Sequence, residues 1–295
     1  MSSTAAPDAP AADSVPHPDL AILRQELDRL DDALHDLLMR RAEVVTQVAA
    51  AKGGISALRP GREASIIRRL LARHQGPLPA QTLMRIWREL FAGTTAMQAP
   101  YAITVCDPAP GGAFSAIARE HFGALIPLRA HRTPAQAIGE VSAGTATAAV
   151  LPLPTEEETL SAAWWTALLH KDDPRIYVVA RLPFWDPRPE GAPQAQALVV
   201  GTSPPDATAS DRSLLGLELA PDVSRARLTT TLTAAGLSPG PTILRRDAGS
   251  PVAHALVDVA GFVTEADPRL AAISSVLRAP VVLGAYATTI EGDGR

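Results

Sequence analysis

The sequence predicts a multidomain chain: an all-α segment of three helices, then a reduced α/β lobe, then a βαββαβ module. Three observations predict it. Residues 19–52 run for thirty-four positions without Gly or Pro, in a chain of 295 residues that holds 20 Gly and 27 Pro. From Tyr101 the chain turns to short β-rich segments separated by Pro and Gly, which sets a boundary near Ala99-Pro100. Between Ser213 and Ala287 the patterns alternate strand, helix, strand, strand, helix, strand. The expected segments are a tail over 1–18, the helical segment over 19–99, the α/β lobe over 100–205 and the last module over 206–290.

Composition narrows the class. Hydrophobic content of 46% with 20% charged residues suits a globular protein, and a net charge of −4 offers no basic excess to drive nucleic-acid binding. Cys106 is the single cysteine, so no intrachain disulfide and no cysteine-based zinc site is expected, and a reducing cytoplasm fits. Met1 to Pro18 is rich in Ala, Pro, Ser and Asp without a basic or an apolar region, which reads as a disordered tail rather than a signal or transit peptide. No apolar run is long enough to span a bilayer, so no membrane partner is expected.

The first helix carries Leu20, Leu23, Leu27, Leu30, Leu34, Leu37/Leu38, Val44/Val45 and Val48 at steps of three and four. That stripe is roughly 50 Å long. It asks for a partner helix, most simply the same helix of a second copy, packed knobs into holes. Arg41 and Lys52 interrupt the stripe. Eleven residues apart, they lie within about 20° of each other on one face. Either they face anions, because an unpaired buried cation is costly, or they snorkel out at the stripe's edge.

Gly53-Gly54 ends this helix, and a second is expected over Arg62 to His74. Glu63 extends its apolar positions Ile66/Ile67 and Leu70/Leu71 backwards, which places a carboxylate inward at the helix N-terminus, or simply as first-turn charge. A third helix is expected from Ala80 to about Gln98, with a stripe of Leu83, Trp87 and Leu90/Phe91 that turns polar at Thr94 and Gln98. Cations, a carboxylate, a hydroxyl and an amide on three inward faces suit a small polyanion that bears a hydroxyl.

These residues resemble the all-helical class of chorismate mutase. The resemblance covers residues 19–98 and rests on Leu23-Arg24, Arg40 to Glu43, Lys52, Arg62-Glu63, Thr94 and Gln98, in register across three helices. It implies an intertwined homodimer held through the first long helix, with chorismate as the small-molecule substrate and no cofactor. Arg24 from the neighbouring subunit and Arg41 would clamp the two carboxylates. Lys52 and Gln98 would donate to the ether oxygen, and Glu63 would accept from the ring hydroxyl. Arg62 would support the charge network, and Thr94 would stand where the family usually has a serine. Helix geometry agrees, since Arg24 and Arg41 are seventeen residues apart, about 260° around one helix. One position departs: where the family often has an aspartate this chain has Arg59, which either turns to solvent or adds a cation to the site.

Beyond Tyr101 a strand is expected at Ile103 to Cys106, then Gly111-Gly112 and a helix to Phe122, a strand at Ala146 to Leu151 and a helix over Thr155 to Leu169. The glycine pair reads as an anion cradle or as plain turn geometry. The order of segments resembles the bifunctional protein in which prephenate dehydratase follows the mutase, and Gly112 to Ser115 is similar to its Gly-Thr-Phe-Ser. The dehydratase's threonine and arginine are absent from Gln196 to Val200, and the asparagine of its second turn is absent from Pro152 to Thr155. No dehydratase activity is expected.

The last module has the ferredoxin-like βαββαβ order and is similar to the ACT domain, with strands at Leu214 to Leu219, Thr242 to Arg246, Ala253 to Val259 and Val281 to Tyr286, and helices at Ser224 to Ala235 and Asp267 to Leu277. Its phenylalanine-binding signatures match poorly at Ser224 to Arg227 and Ile243 to Arg246, so a structural or dimerising remnant stands beside effector binding. Two other functions compete with the mutase. An isochorismate-pyruvate lyase could use a similar cage, and a non-catalytic regulator of an aromatic-pathway enzyme would be expected to have lost it.

Overall fold

The computed structural model describes residues 19–52, 57–109, 112–158, 162–274 and 276–292, and divides into two compact units at residue 53. The expected tail over 1–18 and the Gly53-Gly54 helix stop lie outside the described residues. The first unit is helix α1, Leu20–Lys52. Its apolar stripe stays open: Leu20, Leu23, Leu27, Leu30, Leu34, Leu37, Val44 and Val48 are 43–65% exposed. An open apolar face of that extent is the mark of an interaction surface.

The second unit begins with α2, Pro60–Ala72, and α3, Ala80–Ala96. Pro60 at the first helical position starts α2 two residues earlier than expected, because its fixed φ suits that place. Next come β1 Ile103–Cys106, α4 Ala113–Phe122, β2 Leu128–His131, α5 Pro134–Ser142 and β3 Ala148–Pro152. After a 3₁₀ turn at Trp164–His170 follow β4 Tyr177–Leu182, β5 Trp185–Asp186 and β6 Ala197–Gly201. The chain closes with β7 Asp211–Leu219, α6 Arg225–Ala234, β8 Pro239–Arg246, β9 Ala253–Ala260, α7 Pro268–Ala271, β10 Val281–Ala287 and β11 Ile290–Glu291.

Nine strands form one sheet in the order β2-β1-β3-β6-β4-β10-β7-β9-β8. The first three are parallel, with α4 and α5 as their crossovers. The last four, β10-β7-β9-β8, carry the βαββαβ order and are antiparallel throughout. Lobe and module therefore share a sheet, joined where β4 runs parallel to β10 at Gly284 and Val178. Gly284 has φ +144°, and a Cβ there would lie 2.6 Å from the backbone N of Val178. Only glycine lets the two strands approach so closely.

Two expected helices are corrected. Over Thr155 to Leu169 the described residues form an irregular stretch with bends at Glu156 and Glu157 and then the 3₁₀ turn, with 159–161 outside the description. The acidic side chains have tertiary partners instead: Glu156 accepts from Arg225 and from the backbone N of Leu244, and Glu158 accepts from the Trp165 indole at 3.0 Å. The helix expected over Asp267 to Leu277 shrinks to α7, because Val276 bridges to Leu219 and Leu277 N donates to Glu218 O.

Candidate active site

Arg24 and Arg41 lie on α1, Arg24 exposed and Arg41 half-buried, and Lys52 is the last residue of that helix. In the second unit Arg62 is exposed on the first turn of α2, and its neighbour Glu63 is buried. Thr94 and Gln98 stack as their i, i+4 spacing expects: the Gln98 amide donates to Thr94 O at 2.9 Å, and the Thr94 hydroxyl donates to Leu90 O at 2.7 Å. Both are half-buried.

Sequence reasoning missed Arg88. It is 4% exposed, and its Nη1 donates to Glu63 Oε2 at 3.0 Å. The buried face of α3 is Met84, Arg88, Phe91, Ala92 and Thr95, rotated by one position from the expected stripe of Leu83, Trp87, Leu90/Phe91, Thr94 and Gln98. The signal was present in the i, i+4, i+7 spacing of Met84, Arg88 and Phe91, but it requires an arginine in a core. Its guanidinium lies 4.9 Å from the ring centroid of Phe184, and the edge of His121 meets the same ring at 6.3 Å between centroids. Burial pushes the Glu63 carboxyl up while Arg88 pulls it down, and burial together with Arg88 holds the His121 imidazole well below its ordinary value. Glu63 Oε1 makes no hydrogen bond among the described residues, so one carboxylate oxygen remains available to a hydroxyl donor.

Arg59 takes neither of its two expected courses. Its guanidinium grips Asp206 as a fork, Nε to Oδ2 at 2.6 Å and Nη2 to Oδ1. This pins the start of α2 to the loop before β7, and Gly61 sits so close that a Cβ would lie 2.7 Å from Asp206 O. Further along α2, Arg68 donates to Thr288 O at 2.6 Å and to the Thr288 hydroxyl at 2.8 Å.

The segments compared with the dehydratase are closed. Gly112 takes the left-handed conformation ahead of α4, and the turn is filled from within: Asp107 Oδ2 accepts from Ser115 N at 3.1 Å and from Ser115 Oγ at 2.8 Å. Residues 197–200 are wholly buried in the middle of the sheet.

An N-terminal helical part followed by a mixed α/β region defines a multidomain protein. Residues 23–99 match the family model described as chorismate mutase type II, so that stretch is a chorismate mutase domain. Over 147 residues, 47% of this chain and 40% of the relative, the chain is 29% identical to a bifunctional chorismate mutase/prephenate dehydratase of Stutzerimonas stutzeri. A solved structure titled as a quorum-quenching acylase, GqqA, has a TM-score of 0.48 at 17% identity, covering 63% of this chain and 95% of that one. A prephenate dehydratase from Streptococcus mutans has a TM-score of 0.47 at 15% identity, covering 65% of this chain and 100% of that one. The matched stretch spans about 40% of the length of the first curated relatives. No helix among the described residues is long and apolar enough to cross a membrane.

Proposed function

We propose that this protein is a chorismate mutase that converts chorismate to prephenate as a homodimer paired through α1. The family match over 23–99 carries the reading, because it contains Arg24, Arg41, Lys52, Arg62, Glu63, Thr94 and Gln98 together. The open stripe of α1 supports the dimer. The reaction is a unimolecular [3,3] rearrangement in which the carbon–oxygen bond of the ether breaks as a carbon–carbon bond forms. It needs no nucleophile and no proton transfer, so the work is to hold the chair-like conformer and to stabilise charge at the ether oxygen. Arg24 of the partner and Arg41 clamp the carboxylates in this reading, since a guanidinium fork matches a carboxylate in two places. Lys52 and Gln98 donate to the ether oxygen, Glu63 accepts from the ring hydroxyl, and Arg62 and Thr94 complete the polar wall. Arg59, committed to Asp206, belongs to the scaffold.

The proposal extends to the rest of the chain. Residues 19–99 constitute the mutase, 100–205 a reduced lobe and 206–290 an ACT-like module, in a cytoplasmic protein with no dehydratase activity. The self-filled α4 turn and the buried β6 strand support that last point. Loss of chorismate absorbance on addition of the purified full chain, with prephenate as the product, tests the mutase. No loss would refute it, and phenylpyruvate formed from prephenate would refute the absence of dehydratase activity.

A further inference from the structure

We infer that Arg88 is a positioning residue of the mutase site: seated on Phe184 of the α/β lobe, it holds one oxygen of Glu63 so that the other stays turned to the substrate's hydroxyl. The lobe is then a working part of the mutase rather than an appendage. This rests on the role given to Glu63 above.

A buried ion pair is rarely more stable than an apolar pair of the same shape, because both charges lose their water. Packing alone therefore does not account for Arg88 and Glu63, which are only 4% and 8% exposed. What the pair provides is a fixed carboxylate with one oxygen bonded and the other without a hydrogen bond among the described residues.

Each partner is anchored to the α/β region, Arg88 to the lobe and Glu63 to the module that follows it. Arg88 lies over Phe184, whose ring is braced by His121, itself edge-on to Phe122 at 4.7 Å. One residue further along α3, Glu89 accepts from Ala124 N at 3.0 Å, just past the end of α4. Glu63 is fixed through α2, which Arg59 and Arg68 fasten to Asp206 and Thr288 on either side of it.

The groups around the pair set its response to pH. Tyr101, Glu120 and His121 sit close enough to exchange charge effects with Arg88 or Glu63, and Arg68 stands 5.9 Å from the Phe184 ring. Of these, Arg88 is the one that draws the Glu63 carboxyl down against the effect of burial. Without it the carboxyl gains a proton at higher pH and ceases to be a pure acceptor.

The test uses the full chain and steady-state kinetics across pH. Arg88→Met is expected to lower kcat/KM by about 100-fold, the scale of a misplacement near 1 Å, and to move the acid limb of the profile to higher pH. Arg88→Lys should recover most of both, and Phe184→Leu should lose a smaller part of each. If Arg88→Met does not fold, Glu63→Gln/Arg88→Met removes the stranded charge. That double variant should be no less active than Glu63→Gln alone, since Arg88 acts through Glu63, and a further loss would overturn the inference. A folded Arg88→Met with unchanged kcat/KM and pH profile overturns it as well, while leaving the mutase standing. A wild-type chain inert toward chorismate overturns the mutase and the role of Arg88 together.

Discussion

Charge reversal at Arg59 offers a test of how the second unit is held together. Arg59 and Asp206 form a two-point ion pair whose side chains are 33% and 24% exposed. Two unit charges 4 Å apart attract by about 1 kcal/mol in water and by about 4 kcal/mol at an effective dielectric near 20. Partial exposure keeps the pair near the lower figure, and salt screening discounts it again. Arg59→Asp turns that attraction into repulsion, so the loss is about 1 to 2 kcal/mol, roughly twice the cost of neutralisation. For a unit spanning residues 54–295, each kcal/mol moves Tm by about 2 to 4 °C. Calorimetry at low salt is expected to give a Tm lower by about 2 to 8 °C, and the difference should narrow in 1 M salt. The exchanged variant Arg59→Asp/Asp206→Arg should recover most of the loss. An unchanged Tm in the single variant, or no recovery on exchange, would refute the pin.

Three further outcomes are expected. Gln98→Glu should shift mutase activity toward acid, because a carboxylate cannot donate to the ether oxygen until it is protonated; a pH profile identical to wild type would count against Gln98. Gly284→Ala should cost about 3 kcal/mol or more, from the positive φ and the overlap with Val178, seen as a lower urea midpoint; an unchanged midpoint would deny the close seam between β4 and β10. His121 is buried, and its folded-state pKa is depressed by burial and by Arg88, so it stays neutral in the fold while the unfolded chain takes up a proton near pH 6.5. Its contribution is present above that pH and lost as pH falls. Urea midpoints of His121→Phe should therefore drop less between pH 7.5 and 5 than those of wild type, and parallel curves would contradict this.

Local features of the fold were legible in the sequence. The run Ile103 to Cys106 is apolar and bounded by turn signals, and it is β1. The thirty-four residues without Gly or Pro hold α1, and the alternation after Ser213 yields the four strands and the first helix of the βαββαβ order. Features set by distant partners were not legible. Arg59 and Asp206 are 147 residues apart, and the parallel seam at Val178 and Gly284 joins segments whose patterns show no register. Glu156 and Glu158 sit in a helix-like pattern, yet Arg225, Leu244 and Trp165 draw their side chains away. On α3 the large side chains Trp87 and Leu90 drew the stripe to the half-buried face, while Arg88 counted as a surface charge until Glu63 and Phe184 were seen around it.

Arg24 and Arg41 stand on one helix, about 260° apart, and the central claim is that two copies share each site. Mixing decides it. Arg24→Ala and Arg41→Ala chains, each nearly inactive alone, are combined under conditions of proven subunit exchange, and chorismate turnover is followed. One of the two sites in the mixed dimer then has both arginines, so activity is expected to return to about a quarter of the wild-type rate at equal mixing, with half the dimers mixed and one site intact in each. No recovery despite exchange would contradict the shared site.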